Sequence, residues 1–149
     1  MTELFQTEQN PTYSFVIPVY NEEEVLPELY RRMKALMDQL DGSSEAVLVD
    51  DGSRDNSYPL MLELYALDPR FKVVHFSRNF GKEVAVSAGL DLATGDAVVL
   101  LDADLQDPPE RAIEMAARRR EGYDMVYAKR DRRMNETWFK RQSSRLFYR

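Results

Sequence analysis

The sequence predicts an α/β fold, built on an open, mostly parallel sheet with helices on both faces. Short runs rich in Val and Leu alternate with longer stretches whose apolar residues recur at helical spacing. The short runs are apolar on both faces, as strands of a covered parallel sheet are. The chain of 149 residues, 44% hydrophobic and 31% charged, is long enough for one domain with its own core.

The predicted elements follow one another in the order βαβαβαβαβ. The five predicted strands are residues 13–19, 45–50, 71–76, 96–102 and 123–128. The first helix is predicted from Leu26 to Leu40, with Pro27 in its first turn, where the missing N–H costs little. The dipeptide at 41–42, Asp-Gly, is a stop signal for that helix.

Proline and glycine mark the three later helices in the same way. The second helix is predicted from Pro59 to Leu67 and the third within residues 80–95, ending at Gly95. The fourth is predicted to begin at the two prolines 108–109 and to end at Gly122.

Charge is distributed unevenly along the chain. Residues 1–128 contain 12 Lys and Arg against 24 Asp and Glu, whereas residues 129–149 contain 8 against 2. Aromatic residues are interleaved among the charges of this basic segment, which suits an anionic lipid surface or a phosphate-rich ligand. A solvated helix that packs on the domain explains the same pattern equally well. We expect no nucleic-acid partner.

Composition also bounds the cellular setting. The absence of cysteine excludes disulfides and thiolate chemistry and fits the cytoplasm. The first 12 residues have neither the basic nor the apolar segment of a secretory signal, and we expect them to be a flexible N-terminus. No apolar stretch of the sequence approaches the ~20 residues that span a bilayer.

Four loops follow the predicted strands, and each of them carries polar or acidic residues: 18–24, 50–55, 77–82 and 102–109. In an open parallel sheet, ligands bind beyond the carboxyl ends of the strands. We therefore expect the functional site to be built from these loops.

The loop after the fourth strand has the sequence DADLQD. Asp102 and Asp104 are two residues apart at the end of a buried strand, so both carboxylates can face one point. Mg²⁺ and Mn²⁺ take oxygen ligands, usually one or two carboxylates together with phosphates and water. Asp102, Asp104 and the amide oxygen of Gln106 are the predicted metal ligands.

The loops after the first two strands suit a nucleoside. The carboxylates of Asp50 and Asp51 can accept a hydrogen bond from a base or a ribose hydroxyl. Gly52 and Ser53 begin the turn that follows, and a turn with helix capping explains the same residues without a ligand.

In the loop after the first strand, Pro18 fixes the direction in which the chain leaves the strand, and Tyr20 offers a flat face for stacking on a base. Asn21 and Glu22 follow, and an Asn with acids behind it also begins a helix well.

After the third strand, Arg78 and Lys82 stand beside Gly81, so both cations can face phosphates. His75 is the only histidine, and its place inside an apolar strand favours a core residue.

Taken together, VIPVYNEEE, VLVDDGSRDNS, SRNFGKEVAVSAG and DADLQDPPE resemble, in order and spacing, the motifs of family 2 glycosyltransferases of the GT-A fold. The similarity runs from about Tyr13 to the C-terminus. It is closest to the polyprenyl-phosphate glycosyltransferases, which include dolichyl-phosphate mannose synthases and bactoprenol glucosyltransferases.

The resemblance implies transfer of a sugar, with inversion, from a nucleoside diphosphate to a polyprenyl phosphate, dependent on Mg²⁺ or Mn²⁺. SRNFGKE and the segment ETWFKR favour a UDP-sugar such as UDP-glucose. The implied location is the cytoplasmic side of a membrane. Asp102, Asp104 and Arg130 are the implied catalytic residues. The implied donor-site residues are Pro18, Tyr20, Asn21, Glu22, Asp50, Asp51, Gly52, Ser53, Lys82 and Ala103.

Family members continue well past this sequence, so the resemblance implies residues 13–128 as the donor domain and 129–149 as the start of an acceptor and membrane-side region. A fragment that binds donor without turnover is one alternative, and self-association through exposed apolar surface is a separate expectation. Another is a phosphorylation-receiver domain that uses Asp50, Asp51 and Asp102, although its acid pair would stand on the first strand. Two further classes are a phosphatase of the haloacid dehalogenase type and a dinucleotide-binding oxidoreductase. The sequence lacks the hydroxylated residue that the first needs after its second Asp and the G-x-G-x-x-G motif that the second needs after a strand.

Overall fold

A computed structural model describes residues 11–127 of the chain. Four strands alternate with four helices: β1 (Tyr13–Val19), α1 (Leu26–Gln39), β2 (Ser44–Asp50), α2 (Ser57–Leu67), β3 (Phe71–His75), α3 (Lys82–Leu92), β4 (Ala97–Leu100) and α4 (Arg111–Arg120). The chain divides into two compact units, Met1–Glu114 and Met115–Arg149, and the whole sheet belongs to the first. The predicted α/β class is confirmed.

The sheet has the strand order β3-β2-β1-β4, and all of its pairings are parallel. β1 lies in the centre, with Val16 opposite Val47 of β2 on one side and Leu100 of β4 on the other. The chain adds β2 and β3 on one side of β1 and then crosses to the other side for β4. The loops after β1 and β4 therefore separate at this point, where open α/β sheets bind ligands.

Helices α1 and α2 pack on one face of the sheet. The ring of Tyr30 in α1 lies 4.9 Å from that of Phe71 in β3, and Tyr58 in α2 stacks on His75 at 4.0 Å. α1 buries an apolar stripe at helical spacing, which is the reason for its amphipathic sequence.

Helix α3 packs on the opposite face. Ala85 lies in one buried cluster with Val16, Val47 and Val49. Gly89 allows close approach to the sheet, because an added Cβ would lie 2.3 Å from Cγ1 of Val16. Helices on both faces agree with strands that are apolar on both faces.

The predicted fifth strand is wrong for the part that the structure describes. Residues 123–127 are irregular, and Tyr123, Met125 and Tyr127 are exposed. A strand requires a partner, and within residues 11–127 the sheet consists of β1 to β4 alone. Residue 128 lies outside the described residues.

Two further boundaries differ from the prediction. β4 ends at Leu100, two residues early, although Leu101 N still donates to Val16 O at 3.1 Å. At the start of the sheet, Thr12 N donates to Ser43 O at 2.8 Å, so residue 12 is already bonded to the fold. Residues 1–10 of the predicted flexible N-terminus lie outside the described residues. Within residues 11–127 every helix is too short or too polar to cross a bilayer.

Candidate functional site

A cleft opens at the carboxyl ends of the strands, between the loops after β1 and β4. Its volume is about 240 Å³, and all four strand-end loops contribute to it. Its lining residues are Pro18, Val19, Tyr20, Glu22, Asp51, Asn79, Gly81, Lys82, Asp102, Ala103 and Asp104. The location is the one expected for a sheet whose strand order reverses beside β1.

The loop after β4 holds two carboxylates at the rim of the cleft. Ala103 is buried, whereas Asp102 and Asp104 on either side of it are exposed. Oδ1 of Asp104 accepts a hydrogen bond from Gln106 N at 3.0 Å, which closes a tight turn around Leu105 at φ 56°. Gln106 contributes its backbone to this turn, and its side chain does not line the cleft.

Within residues 11–127, the lining of the cleft is acidic: its carboxylates are Glu22, Asp51, Asp102 and Asp104, and Lys82 is its single cation. Burial, and then the negative charges of Asp104 and Asp55, raise the pKa of Glu22. Nζ of Lys82 lies 2.5 Å from Oδ1 of Asp102 and neutralises part of this charge. An anionic ligand would therefore enter this cleft more readily together with a cation.

The carboxylates fit a divalent cation that is shared with a ligand. Within residues 11–127, no three His, Cys, Asp or Glu side chains are grouped as a complete protein site for a metal. Mg²⁺ and Mn²⁺ do not need such a group, since one or two carboxylates with phosphate oxygens and water suffice. Asp102 and Asp104 supply that donor set.

The loops after β1 and β2 are joined by reciprocal hydrogen bonds. Asn21 N donates to Ser53 Oγ at 2.9 Å, and Arg54 N donates to Asn21 Oδ1 at 2.8 Å. Asn21 has φ 55°, a left-handed conformation that Asn tolerates. Glu22 N donates to Ser57 Oγ at 2.8 Å. Asn21 and Ser53 therefore hold the two loops together behind the cleft and do not line it. Asn21 does not cap helix α1, because that helix begins after Val25.

The two neighbouring acids of the second loop have different positions. Asp51 lines the cleft, and its carboxylate accepts hydrogen bonds from Phe80 N at 2.7 Å and Gly81 N at 3.0 Å. Asp50 is fully buried outside the lining, where it accepts from Ser53 N at 3.2 Å and pairs with His75. The prediction that His75 is a core residue is wrong, because its side chain is 39% exposed at the carboxyl end of β3.

Gly52 brings the second and third loops into contact. It has φ 67°, and an added Cβ would lie 2.3 Å from the carbonyl carbon of Arg78 and 2.6 Å from Asn79 N. Asn79 thereby comes to line the cleft, together with Val19, and neither residue is among the predicted site residues. The only sequence feature that indicates a site role for them is their position: Val19 is the last residue of β1, and Asn79 lies shortly after β3. Arg78 lies over the ring of Phe80 at 4.7 Å.

Two predicted features lie outside the described residues. They are Arg130, which the resemblance implies as a catalytic residue near the diphosphate or the acceptor phosphate, and the basic segment 129–149.

Residues 14–149 match the model of the family described as glycosyl transferase family 2. The chain is 51% identical over 137 residues to the uncharacterized glycosyltransferase YkcC of Bacillus subtilis (strain 168), covering 92% of this chain and 42% of that protein. It is 46% identical over 138 residues to an undecaprenyl-phosphate 4-deoxy-4-formamido-L-arabinose transferase of Enterobacter sp. (strain 638), with 91% and 42% covered. The chain thus spans less than half the length of these relatives.

Among solved structures, the chain is similar to a mannosyltransferase, PcManGT from Pyrobaculum calidifontis, in complex with GDP-Man and Mn²⁺. The TM-score is 0.62 at 26% identity, covering 74% of this chain and 32% of the other.

Proposed function

Because the chain belongs to glycosyl transferase family 2, we propose that the cleft beyond β1 and β4 is the nucleotide-sugar donor site of a glycosyltransferase. The observation that carries this proposal is the convergence at one cleft of Asp51, from the loop after β2, with Asp102 and Asp104, from the loop after β4. The mannosyltransferase of similar fold has a nucleotide sugar and a divalent cation bound, which supports the same ligand class here.

The cleft has a part suited to each portion of the donor. Tyr20, 41% exposed at the end of β1, offers a ring face for the base, and Asp51 beside it offers carboxylate oxygens for base or ribose hydrogens. Lys82, Asp102 and Asp104 lie on the β4 side, where we place the diphosphate. We further propose a UDP-sugar such as UDP-glucose, on the resemblance carried by SRNFGKE.

Asp102 and Asp104 would hold Mg²⁺ or Mn²⁺, with Gln106 as the third predicted ligand if its side chain turns inward. A bound divalent cation supplies charge neutralisation for the departing diphosphate. Lys82 would contribute a further positive charge to the diphosphate once it leaves Asp102.

The proposed reaction is a single displacement at the anomeric carbon of the donor sugar. An oxygen of a polyprenyl phosphate forms the new bond to that carbon while the bond to the nucleoside diphosphate breaks, which inverts the configuration. The acceptor phosphate is already ionised near neutral pH, so the reaction does not require a strong general base. The undecaprenyl-phosphate transferase among the relatives supports this class of acceptor.

Calorimetric titration with UDP-glucose and Mn²⁺ tests the donor site. Asp102→Asn and Asp104→Asn each remove a carboxylate charge from the rim at little cost in shape. We expect either substitution to abolish the gain in donor affinity that Mn²⁺ gives. Asp91→Asn, at an exposed position of α3 outside the cleft, is the matched control and should retain that gain.

Unchanged affinity in either rim variant would remove that residue from the metal site. A thermal-shift panel of UDP- and GDP-sugars, each with Mg²⁺ and Mn²⁺, separates the possible bases and metals, since a ligand that binds only the folded state raises its stability. Stabilisation by GDP-mannose and not by UDP-glucose would overturn the choice of base and sugar while leaving the donor site intact.

The basic segment 129–149 is the part that we propose to lie on an anionic membrane surface, on the cytoplasmic side. Its 8 Lys and Arg against 2 acids, with aromatic residues between them, support this role. Removal of residues 129–149 should abolish co-sedimentation with vesicles that contain anionic lipid. Equal binding with and without the segment would contradict the proposal.

A chain that binds donor without turnover is the alternative to this proposal. Donor binding without glucosyl transfer to undecaprenyl phosphate would support it. The receiver-domain alternative loses its basis, because the chain belongs to another family and Asp50 lies outside the cleft.

A further inference from the structure

His75 and Asp50 form a pair at the carboxyl ends of two neighbouring strands. The residues are register partners, and Nδ1 of the imidazole lies 2.6 Å from Oδ2 of the carboxylate. On its flat side the imidazole stacks on Tyr58 of α2, with ring centroids 4.0 Å apart and planes inclined by 22°. The ring is thus held by a hydrogen bond in its plane and by an aromatic contact on its face.

Asp50 depends on its partners because its side chain is fully buried. A buried carboxylate is unfavourable unless hydrogen bonds replace its contacts with water. Ser53 N donates to Oδ1 at 3.2 Å, and His75 holds Oδ2. With one oxygen held by each group, the carboxylate has a fixed orientation toward the backbone of Ser53.

Ser53 connects this pair to the cleft. Its hydroxyl accepts the hydrogen bond of Asn21 N at 2.9 Å. Asn21 stands between Tyr20 and Glu22, which both line the cleft. A continuous series of hydrogen bonds therefore runs from His75 through Asp50 and Ser53 to the loop that presents Tyr20.

We infer that His75 is a positioning residue for the base-binding side of the donor site, an inference that rests on the proposed function. The imidazole does not line the cleft, and its nearest acid is buried away from the cleft. It acts by orienting Asp50, which fixes Ser53 and thereby the loop of Tyr20. The residues on the β4 side, Asp102 and Asp104, are not part of this series.

Two substitutions separate the hydrogen bond of His75 from its ring contact. His75→Phe keeps a ring against Tyr58 but cannot hydrogen-bond to Asp50. His75→Asn loses the ring but places an amide donor near the position of Nδ1. Calorimetry on the whole parent chain first compares UDP with GDP, each with Mn²⁺. The dissociation constants of UDP and of inorganic pyrophosphate, each with Mn²⁺, are then measured for the parent and for both variants.

We expect His75→Phe to weaken nucleotide binding by about tenfold, the effect of losing one charge-assisted hydrogen bond. Pyrophosphate binding should stay within about twofold, since its proposed contacts lie on the β4 side, and His75→Asn should restore most of the nucleotide affinity. Hydrogen exchange at Asn21 N and Ser53 N should accelerate in His75→Phe, while exchange at Val16 and Val47 should not.

Unchanged exchange at Asn21 and Ser53 would overturn the inference, and so would equal weakening of UDP and pyrophosphate. Failure of His75→Asn to restore affinity would assign the effect to the ring and overturn it as well. A parent chain that binds neither UDP nor GDP would instead contradict the proposed donor site. In that case the exchange rates alone decide whether His75 positions the loop.

Discussion

Lys82 and Asp102 meet across the cleft, with Nζ 2.5 Å from Oδ1, although they come from the loops after two different strands. Lys82 is the first residue of α3, and Asp102 follows β4. The pair joins Lys82, the one cation among the described residues that line the cleft, to a proposed metal ligand. A divalent cation at this proposed ligand would compete with the ammonium for the carboxylate of Asp102, and a displaced ammonium would be available to the proposed diphosphate.

We predict that Lys82→Met binds Mn²⁺ more tightly than the parent in the absence of nucleotide. The gain should be about two- to fivefold, because both partners are largely exposed and such pairs contribute only ~0–1 kcal/mol. The same variant should bind UDP more weakly in the presence of Mn²⁺, since the diphosphate loses a positive charge. Titration of Mn²⁺ followed by its electron spin resonance signal measures the first effect, and calorimetry the second.

Lys34→Met is the matched control for this variant. Lys34 pairs with Asp38 within α1 at 2.8 Å and lies outside the cleft. Its loss should alter neither affinity. Weaker binding of Mn²⁺ alone by Lys82→Met would show that the lysine does not compete with the metal.

Glu22 provides a test of the acidic cleft that needs no ligand. Burial and the charges of Asp104 and Asp55 raise its pKa, so its ionised form destabilises the fold at neutral pH. Glu22→Gln should therefore raise the free energy of unfolding at pH 7. The gain should shrink as the pH falls through the raised pKa and vanish below the ordinary value of 4.5, where the carboxyl is protonated in both states. Urea unfolding at a series of pH values measures this, and a loss of stability at pH 7 would contradict it.

Gly52→Ala should destabilise the protein through a backbone clash. The residue has φ 67°, and its Cβ would lie 2.3 Å from a backbone atom of Arg78, which cannot rotate away. We expect a loss of ~3 kcal/mol or more, with ~1–2 kcal/mol of it from the left-handed conformation alone. Urea unfolding at neutral pH gives the value.

Gly122→Ala separates the two contributions to that loss. Gly122 has φ 97° and nothing within 4 Å of the Cβ position, so it carries the conformational cost without the clash. Equal losses for the two variants would show that the contact between the second and third loops is not important for stability.

Local sequence signals predicted the four helices and the first three strands to within about three residues. These signals are runs of Val and Leu in the strands and a proline near the start of a helix, at Pro27 and Pro59. Each signal depends on residues a few positions apart, which is the range that sequence patterns report. The strand-end rule likewise predicted where Asp51, Asp102 and Asp104 converge.

The errors arose where distant contacts decide the structure. An apolar run at 123–128 has the composition of a strand, but within residues 11–127 the sheet offers it no partner. His75 was predicted to be buried from its neighbours in sequence, yet its position is set by Asp50 of the adjacent strand. The hydrogen bond between Asn21 N and Ser53 Oγ, which spans 32 residues of sequence, is likewise a distant contact that no local pattern reports.

At the opposite end of the sheet from the cleft, Glu45 forms a buried polar cluster. Its carboxylate accepts hydrogen bonds from Ser14 Oγ at 2.6 Å and from Thr94 N at 2.8 Å, and Lys72 Nζ lies 2.5 Å from it. Burial by itself would raise the pKa of Glu45, but the hydrogen bonds from Lys72, Ser14 and Thr94 outweigh it and lower the pKa to about 2. The cluster joins β1, β2, β3 and the end of α3.

The lowered pKa of Glu45 predicts how stability depends on pH. A carboxylate with a folded pKa below its unfolded value stabilises the fold above the unfolded pKa of 4.5, and the contribution is lost as the pH falls toward about 2. Glu45→Gln should lower the free energy of unfolding by ~1–3 kcal/mol at pH 7, because the buried hydroxyl of Ser14 and the backbone N–H of Thr94 lose their charged acceptor. The difference from the parent should shrink between pH 4.5 and the folded pKa.

Glu63→Gln, at an exposed position of α2, is the control and should stay within ~0.5 kcal/mol of the parent throughout. Urea unfolding from pH 7 to 3 distinguishes these outcomes, and a difference that does not change with pH would show that the charge of Glu45 does not stabilise the cluster.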